Sequence, residues 1–481
     1  MKPILYLYFS FFSLLWFARL PQGAREYTSI PDPKFEQCLI DLQYDSGEID
    51  GKVLTSEIAK VTELDVSNKM IHDLTGIQDF KSLIRLFCQK NQLTALDISK
   101  NKDLTHLDCS ENKLDHLSVD HNKALQFLKC SLNHLATLDV SKNLALQLLH
   151  CGSNTLTSLA ISTNTALTTL VADNNRLTSL DVSQNYALLE LNCLANKITT
   201  LDLSNNKQLT TLDCRFNPLS VLDVSNNTAL TILNCAENNL TALDVSKNKA
   251  LIELYCYNNL LTTLEISKNK ALTKLSCFTN QLTSLDVSNN TKLVLLHCNQ
   301  NQLRELNVRL NKKLANLNCS SNQLTTLNTT KNKALWSINC SSNFLIALDT
   351  RKNTNLKYLD CNSNRLLELH VTKNKALLEL RCQHNKLKSL ELSHLPKLIR
   401  LFCNHNQLKK LDLSQNPALL SVICSSNELT VLNLKNGNNR TLDYLDAKTN
   451  HTLTCIQVDS IDKPSSRWFK DAHAKYSTSC Q

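Results

Sequence analysis

The sequence predicts an elongated solenoid: a β-rich parallel coil with short strands on both sides of each rung, little convex helix and small capping segments. Three observations predict it. Cysteines recur every 21 residues from Cys88 to Cys424, with Ala172 filling one slot. An asparagine stands three residues after each of these 17 positions, from Asn91 to Asn427, and a leucine eight residues after, from Leu96 to Leu432. The chain has only 6 glycines and 8 prolines in 481 residues, whereas a globular chain uses about 7 % and 5 % for its turns. Self-similarity at a fixed period of this length marks a stack of units, each covered by its neighbours.

Taken in order, residues 1–24 read as a signal peptide, with Lys2 followed by the apolar run Ile4 to Phe17. That run is short for a membrane span of ~20 residues, and no later stretch is apolar enough, so the mature chain is expected to lack a transmembrane segment. Residues 25–60 form an N-terminal helical cap. Asp32 is placed to cap a helix with Pro33 in its first position, and Phe35, Leu39 and Leu42 to close the first rung. Residues 61–82 form a first repeat of different text, from Val61 to Ile77.

Residues 83–439 hold seventeen repeats of the form Leu83-x-x-Leu86-x-Cys88-x-x-Asn91-x-Leu93-x-x-Leu96-x-Ile98-x-x-Asn101. The first half is the leucine-rich-repeat signature. The second half, such as Leu180-Asp181-Val182-Ser183-Gln184-Asn185, nearly repeats the first and has no 3.6-residue period, so each half is expected as a short extended segment. Asn is expected to make the turns in place of glycine, since it tolerates left-handed backbone, and to serve buried backbone groups with its amide.

This text resembles the secreted bacterial leucine-rich-repeat proteins of the nested 21-residue, IRREKO-type class. The segment 61–77 resembles an internalin repeat, and the flanks 27–42 and 453–459 resemble the ends of such proteins from Bacteroidetes. The resemblance covers nearly the whole mature chain and implies a non-catalytic, adhesive role at the cell surface.

Residues 440–481 are expected to form a C-terminal cap, where Cys455 and Cys480 flank a segment too small to bury its own core and are expected to pair. Cys38 has no evident partner. The cysteine ladder admits a metal site, a redox chain or stacked disulfides. Thiols in a line do not converge on a tetrahedral ion, and parallel Cβ vectors do not bridge, which leaves Cys as a small buried hydrophobe.

The Asp97 column is acidic in 11 of 17 rungs. A calcium ladder is one reading; neighbouring Ser and Lys columns favour a solvated face. Residues 46–57 carry a degenerate calcium-loop pattern, with Ser46 in place of the first aspartate. No nucleophile elbow, zinc-binding H-E-x-x-H or phosphate loop occurs. His106, His150 and His297 have no paired acid at a repeating offset, and no enzymatic activity or cofactor is expected.

Function is expected on the outward positions of the first strand. There the columns of residues 85, 87, 89 and 90 vary freely and collect Phe127, Arg215, Phe216, Tyr255, Tyr257, Phe278, His297, Tyr358, Arg400 and Phe402. Tyr255, Tyr257 and Phe278 fall on adjacent rungs and are expected to touch. Aromatic and arginine side chains anchor protein interfaces, so the first expectation is a secreted, cell-surface protein that binds a protein ligand. The alternative is an anionic glycan or envelope polymer held by the Lys columns (Lys247, Lys249, Lys268, Lys270, Lys331, Lys333), given the net charge of +9. Ice binding is disfavoured because Asp115, Ala136, Arg304, Lys388 and Lys409 interrupt the threonine column. Nucleic acid is disfavoured because the Lys columns are matched by Asp.

Overall fold

The computed structural model describes residues 25–461 and 465–480; the expected signal peptide lies outside the described residues. In each repeat the first half forms a three-residue strand whose central residue is a buried aliphatic, such as Leu212 in Thr211–Asp213. These strands pair in parallel and in register, rung upon rung, from Glu63–Asp65 to Trp468–Lys470. Among the described residues the result is one continuous sheet of twenty parallel strands whose first and last members do not pair with each other. At about 4.8 Å per strand the sheet is roughly 90 Å long.

The second half of each repeat is extended, but among the described residues it closes a ladder only near the C-terminus. Ala347–Asp349 pairs with Glu368–His370, and Lys410–Asp412, Val431–Asn433, Cys455–Gln457 and Lys475–Ser477 form a second small sheet. There the N–H groups of Thr350 and Leu413 reach His370 O and Asn433 O on the next rung. Strands on both sides of a rung, expected throughout, are therefore a feature of the last repeats alone.

Between the halves lies a column of aliphatic side chains and thiols. All sixteen ladder cysteines are buried and unbridged, and Ala172 sits in the vacant slot equally buried. Burial pushes these thiols up, to about 12 in Cys151, Cys193, Cys235, Cys277 and Cys319. A thiol held neutral in an apolar slot is inert.

Two asparagine ladders flank this core. In the first, Asn112 Nδ2 donates to Cys88 O on the preceding rung and to Cys109 O and Ser110 O on its own, while its Oδ1 accepts from Leu93 N. The same set recurs from rung to rung. Here the structure corrects the expectation that Asn itself makes the turn. The left-handed residue is the one before it, with φ between 50° and 60° at Lys90, Glu111, Leu132, Ser153, Phe216, Glu237, His384 and the rest of that column. Left-handed backbone costs a non-glycine residue about 1–2 kcal/mol. The neighbouring asparagine offsets it by binding the carbonyls that the turn exposes, so almost any residue is accepted at the tip.

The second ladder is less complete. Asn122 Nδ2 donates to Ile98 O and Asn101 O, but its Oδ1 is buried without a partner, as in most of its equivalents. Two rungs differ. Where the valine column changes to threonine, Thr329 Oγ1 donates to Asn353 Oδ1 at 2.9 Å and Thr350 Oγ1 to Asn374 Oδ1 at 2.8 Å.

At the N-terminus, helix Pro33–Asp41 begins as expected: Asp32 Oδ1 accepts from Lys34 N and Phe35 N. Its Oδ2 accepts from His72 N and Asp73 N, which fastens the cap to the first repeat. Phe35 and Leu39 are buried, but Leu42 is 41 % exposed; it follows the last helical residue and turns off the stripe. The loop at 46–57 is organised around the buried carboxylate of Glu36, which accepts from Asp50 N and Gly51 N. Among the described residues no three His, Cys, Asp or Glu side chains converge as metal ligands. At the C-terminus the coil continues beyond residue 440 through Tyr444–Ala447 and Trp468–Lys470, and Cys455 is bonded to Cys480 with Cα atoms 5.9 Å apart.

The packing sets three outcomes. A thiol reagent is expected to leave the ladder cysteines untouched in native protein and to count 17 free thiols after denaturation; native reaction of several would contradict the sealed core. Asn259→Ala removes four hydrogen bonds and leaves Leu240 N buried and unpaired, a loss of about 2–3 kcal/mol readable as a lower denaturant midpoint. Val245→Thr supplies the hydroxyl that Asn269 Oδ1 lacks and is expected to shift that midpoint little, whereas Val245→Ser, which loses a methyl as well, lowers it.

Candidate functional site

Because the strands are in register, every outward position forms a straight column, and neighbours 21 residues apart touch across the sheet. The candidate residues do not gather into one pocket. They form separate clusters along the strand face.

The first is a stack of Phe127 on His106, ring centroids 4.4 Å apart. The largest spans the rungs of Cys214 to Cys298. Asp213 holds Arg215 by both carboxylate oxygens, with Nη2 to Oδ2 at 2.8 Å. Between Arg215 and Tyr257 the column drops to Ala236, which is buried. Burial opposes the guanidinium charge, but Asp213 and Tyr257 outweigh it and raise the arginine pKa. Tyr257 and Phe278 lie face to face at 4.4 Å and 6°.

Tyr255 does not join that stack, contrary to expectation. Its hydroxyl donates to Glu253 Oε2 at 2.7 Å, and Glu253 also holds Lys274 at 2.8 Å. Burial and then Glu253 push the Tyr255 phenol up. Phe216 also departs from expectation: it occupies the left-handed turn position (φ 52°) and projects there, 51 % exposed, because its column leaves the strand. His297 is half-buried on the strand next to Ser276, and burial pushes its imidazole down.

Towards the C-terminus Tyr358 meets Trp336 edge to face at 6.0 Å. Further on, Glu379 binds both Arg381 and Arg400, and the Arg381 guanidinium lies 4.8 Å over Phe402. Burial raises the Glu379 pKa, but the two arginines outweigh it and hold the carboxyl low. Trp336, Asp213, Glu253 and Glu379 were not singled out from sequence. The last three occupy the columns already chosen, so a search for acids two residues away on the strand, or one rung across, from the chosen arginines and tyrosines would have found them.

The opposite, second-half face carries the stacked carboxylates. Each turns back on its own chain: Asp139 accepts from Ser141 N, Asp223 from Ser225 N, Asp244 from Ser246 N and Asp286 from Ser288 N, all at 2.8 Å. Where the column falls to Ser118 and Ala160, a shallow open depression lies between His116, Asp139 and Ser158. The Lys columns do not account for the net charge. Residues 1–350 contain equal numbers of Lys plus Arg and Asp plus Glu, whereas residues 351–440 contain fifteen of the former and six of the latter.

No family model matches the chain and no curated protein matches it. Solved structures do. The functional domain of InlJ from Listeria monocytogenes, which includes a cysteine ladder, is 34% identical, with 78% of this chain and 79% of that one covered and a TM-score of 0.65. A leucine-rich-repeat protein of Leptospira interrogans is 27% identical over 73% of this chain and 92% of its own, TM-score 0.61. YopM of Yersinia enterocolitica is 25% identical over 86% and 90%, TM-score 0.69. The chain belongs to the leucine-rich-repeat proteins of the internalin type.

The serine N–H and hydroxyl groups lower the pKa of Asp139, Asp181, Asp223, Asp244 and Asp286. A carboxyl whose pKa is depressed by folding contributes stability above its unfolded value of about 3.9 and loses it as pH falls through the folded value. The denaturant midpoint is expected to stay level down to about pH 5 and to fall below about pH 4. Replacing Asp181, Asp223 and Asp244 by Asn, which caps without titrating, is expected to flatten that fall; an unchanged acid limb would place the titration elsewhere.

Proposed function

We propose that this protein is a secreted or cell-surface, non-catalytic binding protein that holds a protein ligand on the outward face of the first strands, in adhesion or in contact with a host or neighbouring cell. The observation that carries the reading is the five-rung cluster from Arg215 to His297. An arginine fixed by Asp213 and a flat Tyr257–Phe278 pair stand side by side on a rigid sheet. Such anchors lose little side-chain freedom on binding, and arginine and aromatic groups supply most interface energy.

A protein-binding role also fits the fold. The plant receptor HAESA, 19% identical and similar in fold alone, is held in complex with the peptide hormone IDA and the co-receptor SERK1. Extended solenoid faces are recognition surfaces, and among the described residues no helix is long and apolar enough to cross a membrane. An anionic ligand held by the Lys columns is the weaker reading, because those columns are balanced by Asp.

The test is a capture experiment from envelope or neighbouring-cell extract, followed by affinity measurement with the ligand recovered. Arg215→Ala with Tyr257→Ala is expected to weaken binding by roughly thirty-fold or more and to leave the circular dichroism spectrum unchanged. Tyr255→Ala, whose phenol serves Glu253, is expected to cost less. A double variant that binds as wild type would remove the ligand from this face.

A further inference from the structure

The whole net charge of +9 resides in residues 351–440, and part of it lies on an edge of the coil that the strand-face reading does not use. That edge is the turn between the two halves, where outward residues flank the buried leucines Leu345, Leu366, Leu387 and Leu408. Successive rungs are bonded there: Arg365 N to Leu345 O, Lys386 N to Leu366 O, and Leu367 N to Ile346 O.

One column of this edge is threonine in many earlier rungs (Thr241, Thr262, Thr283, Thr325) and then changes to Ile346, Leu367, Lys388 and Lys409. Ile346 is 57 % exposed and Leu367 55 %, adjacent aliphatics facing water. The parallel column runs Phe344, Arg365, Lys386, with the Arg365 guanidinium 4.4 Å over the Phe344 ring. Lys410 stands beside Lys409. Among the described residues none of Arg365, Lys386, Lys388, Lys409 and Lys410 is in an ion pair, in contrast to Arg351, Arg381 and Arg400. The acids on the edge are Glu368, which faces His370 at 3.3 Å, and Glu428.

We propose that this edge is a second binding surface and that it docks on an anionic lipid bilayer. Ile346 and Leu367 enter the headgroup region while the lysines and Arg365 lie against lipid phosphates. Lysine is depleted at protein interfaces and enriched where proteins meet anionic membranes. A soluble polyanion would use the charges but has no use for two neighbouring exposed aliphatics; a bilayer uses both. The strand face, with its paired arginines and stacked rings, stays free for a protein ligand in this arrangement.

The test is cosedimentation of the protein with vesicles of phosphatidylglycerol and phosphatidylcholine, against phosphatidylcholine alone. Binding to the anionic vesicles is expected, weakening as salt is raised. Lys386→Glu with Lys388→Glu and Lys409→Glu is expected to lower partitioning by roughly tenfold or more. Ile346→Ser with Leu367→Ser is expected to lower it several-fold with an unchanged melting midpoint, and Arg215→Ala with Tyr257→Ala to leave it alone. Absence of binding to anionic vesicles would overturn the proposal. So would an aliphatic variant that binds as wild type while heparin competes, since that result describes a polyanion site.

Discussion

The first asparagine ladder is the interaction on which the rest of the structure depends. Each amide joins a turn to its own strand end and to the rung before it, in a place where water is excluded. An exposed turn would have water for its carbonyls; a stacked turn has only its neighbours. Because the amide binds those carbonyls at every rung, the residue at the turn tip is free to be left-handed without being glycine, and Lys90, Leu132, Phe216 and His405 all accept that conformation. Six glycines suffice for 481 residues for this reason.

The ladder also dictates what is allowed inside. With the turns fixed at the same height, each rung has the same cross-section, and one slot in it takes a side chain between alanine and leucine in size. Cysteine fills that slot without asking for a hydrogen-bond partner. The aligned thiols look like chemistry in the sequence and behave as packing in the fold: they are sealed, neutral and unbridged.

A rigid in-register sheet turns sequence columns into physical rows, and this shaped what could be read of the site. The columns that carry Phe127, Tyr257, Phe278, Tyr358, Arg400 and Phe402 do face outward, and Tyr257 with Phe278 do touch. The partners that tie down Arg215, Tyr255 and Arg400 are carboxylates two residues away on the strand or one rung across, Asp213, Glu253 and Glu379. Which of several nearby groups a long side chain chooses is settled by rotamer and burial, and periodicity says nothing about either. The distribution of charge was legible in the sequence, but only the stacked turns put Lys386 and Lys388 one rung on from the exposed Leu367 along one edge.

By itself the sequence determined the 21-residue period, the parallel stacking, the buried cysteine column, the helix capped by Asp32 and the pairing of Cys455 with Cys480. All of these follow from local spacing, and the stack follows from its repetition without insertion, which leaves a chain one way to bury its leucines. The tertiary structure alone decided that the second segments pair only in the last rungs, that the left-handed residue precedes the asparagine, and that Tyr255 turns to Glu253 and not to Tyr257. Those outcomes depend on the separation of rungs and on competition among neighbours in space, and a repeated motif carries no record of distances across the stack.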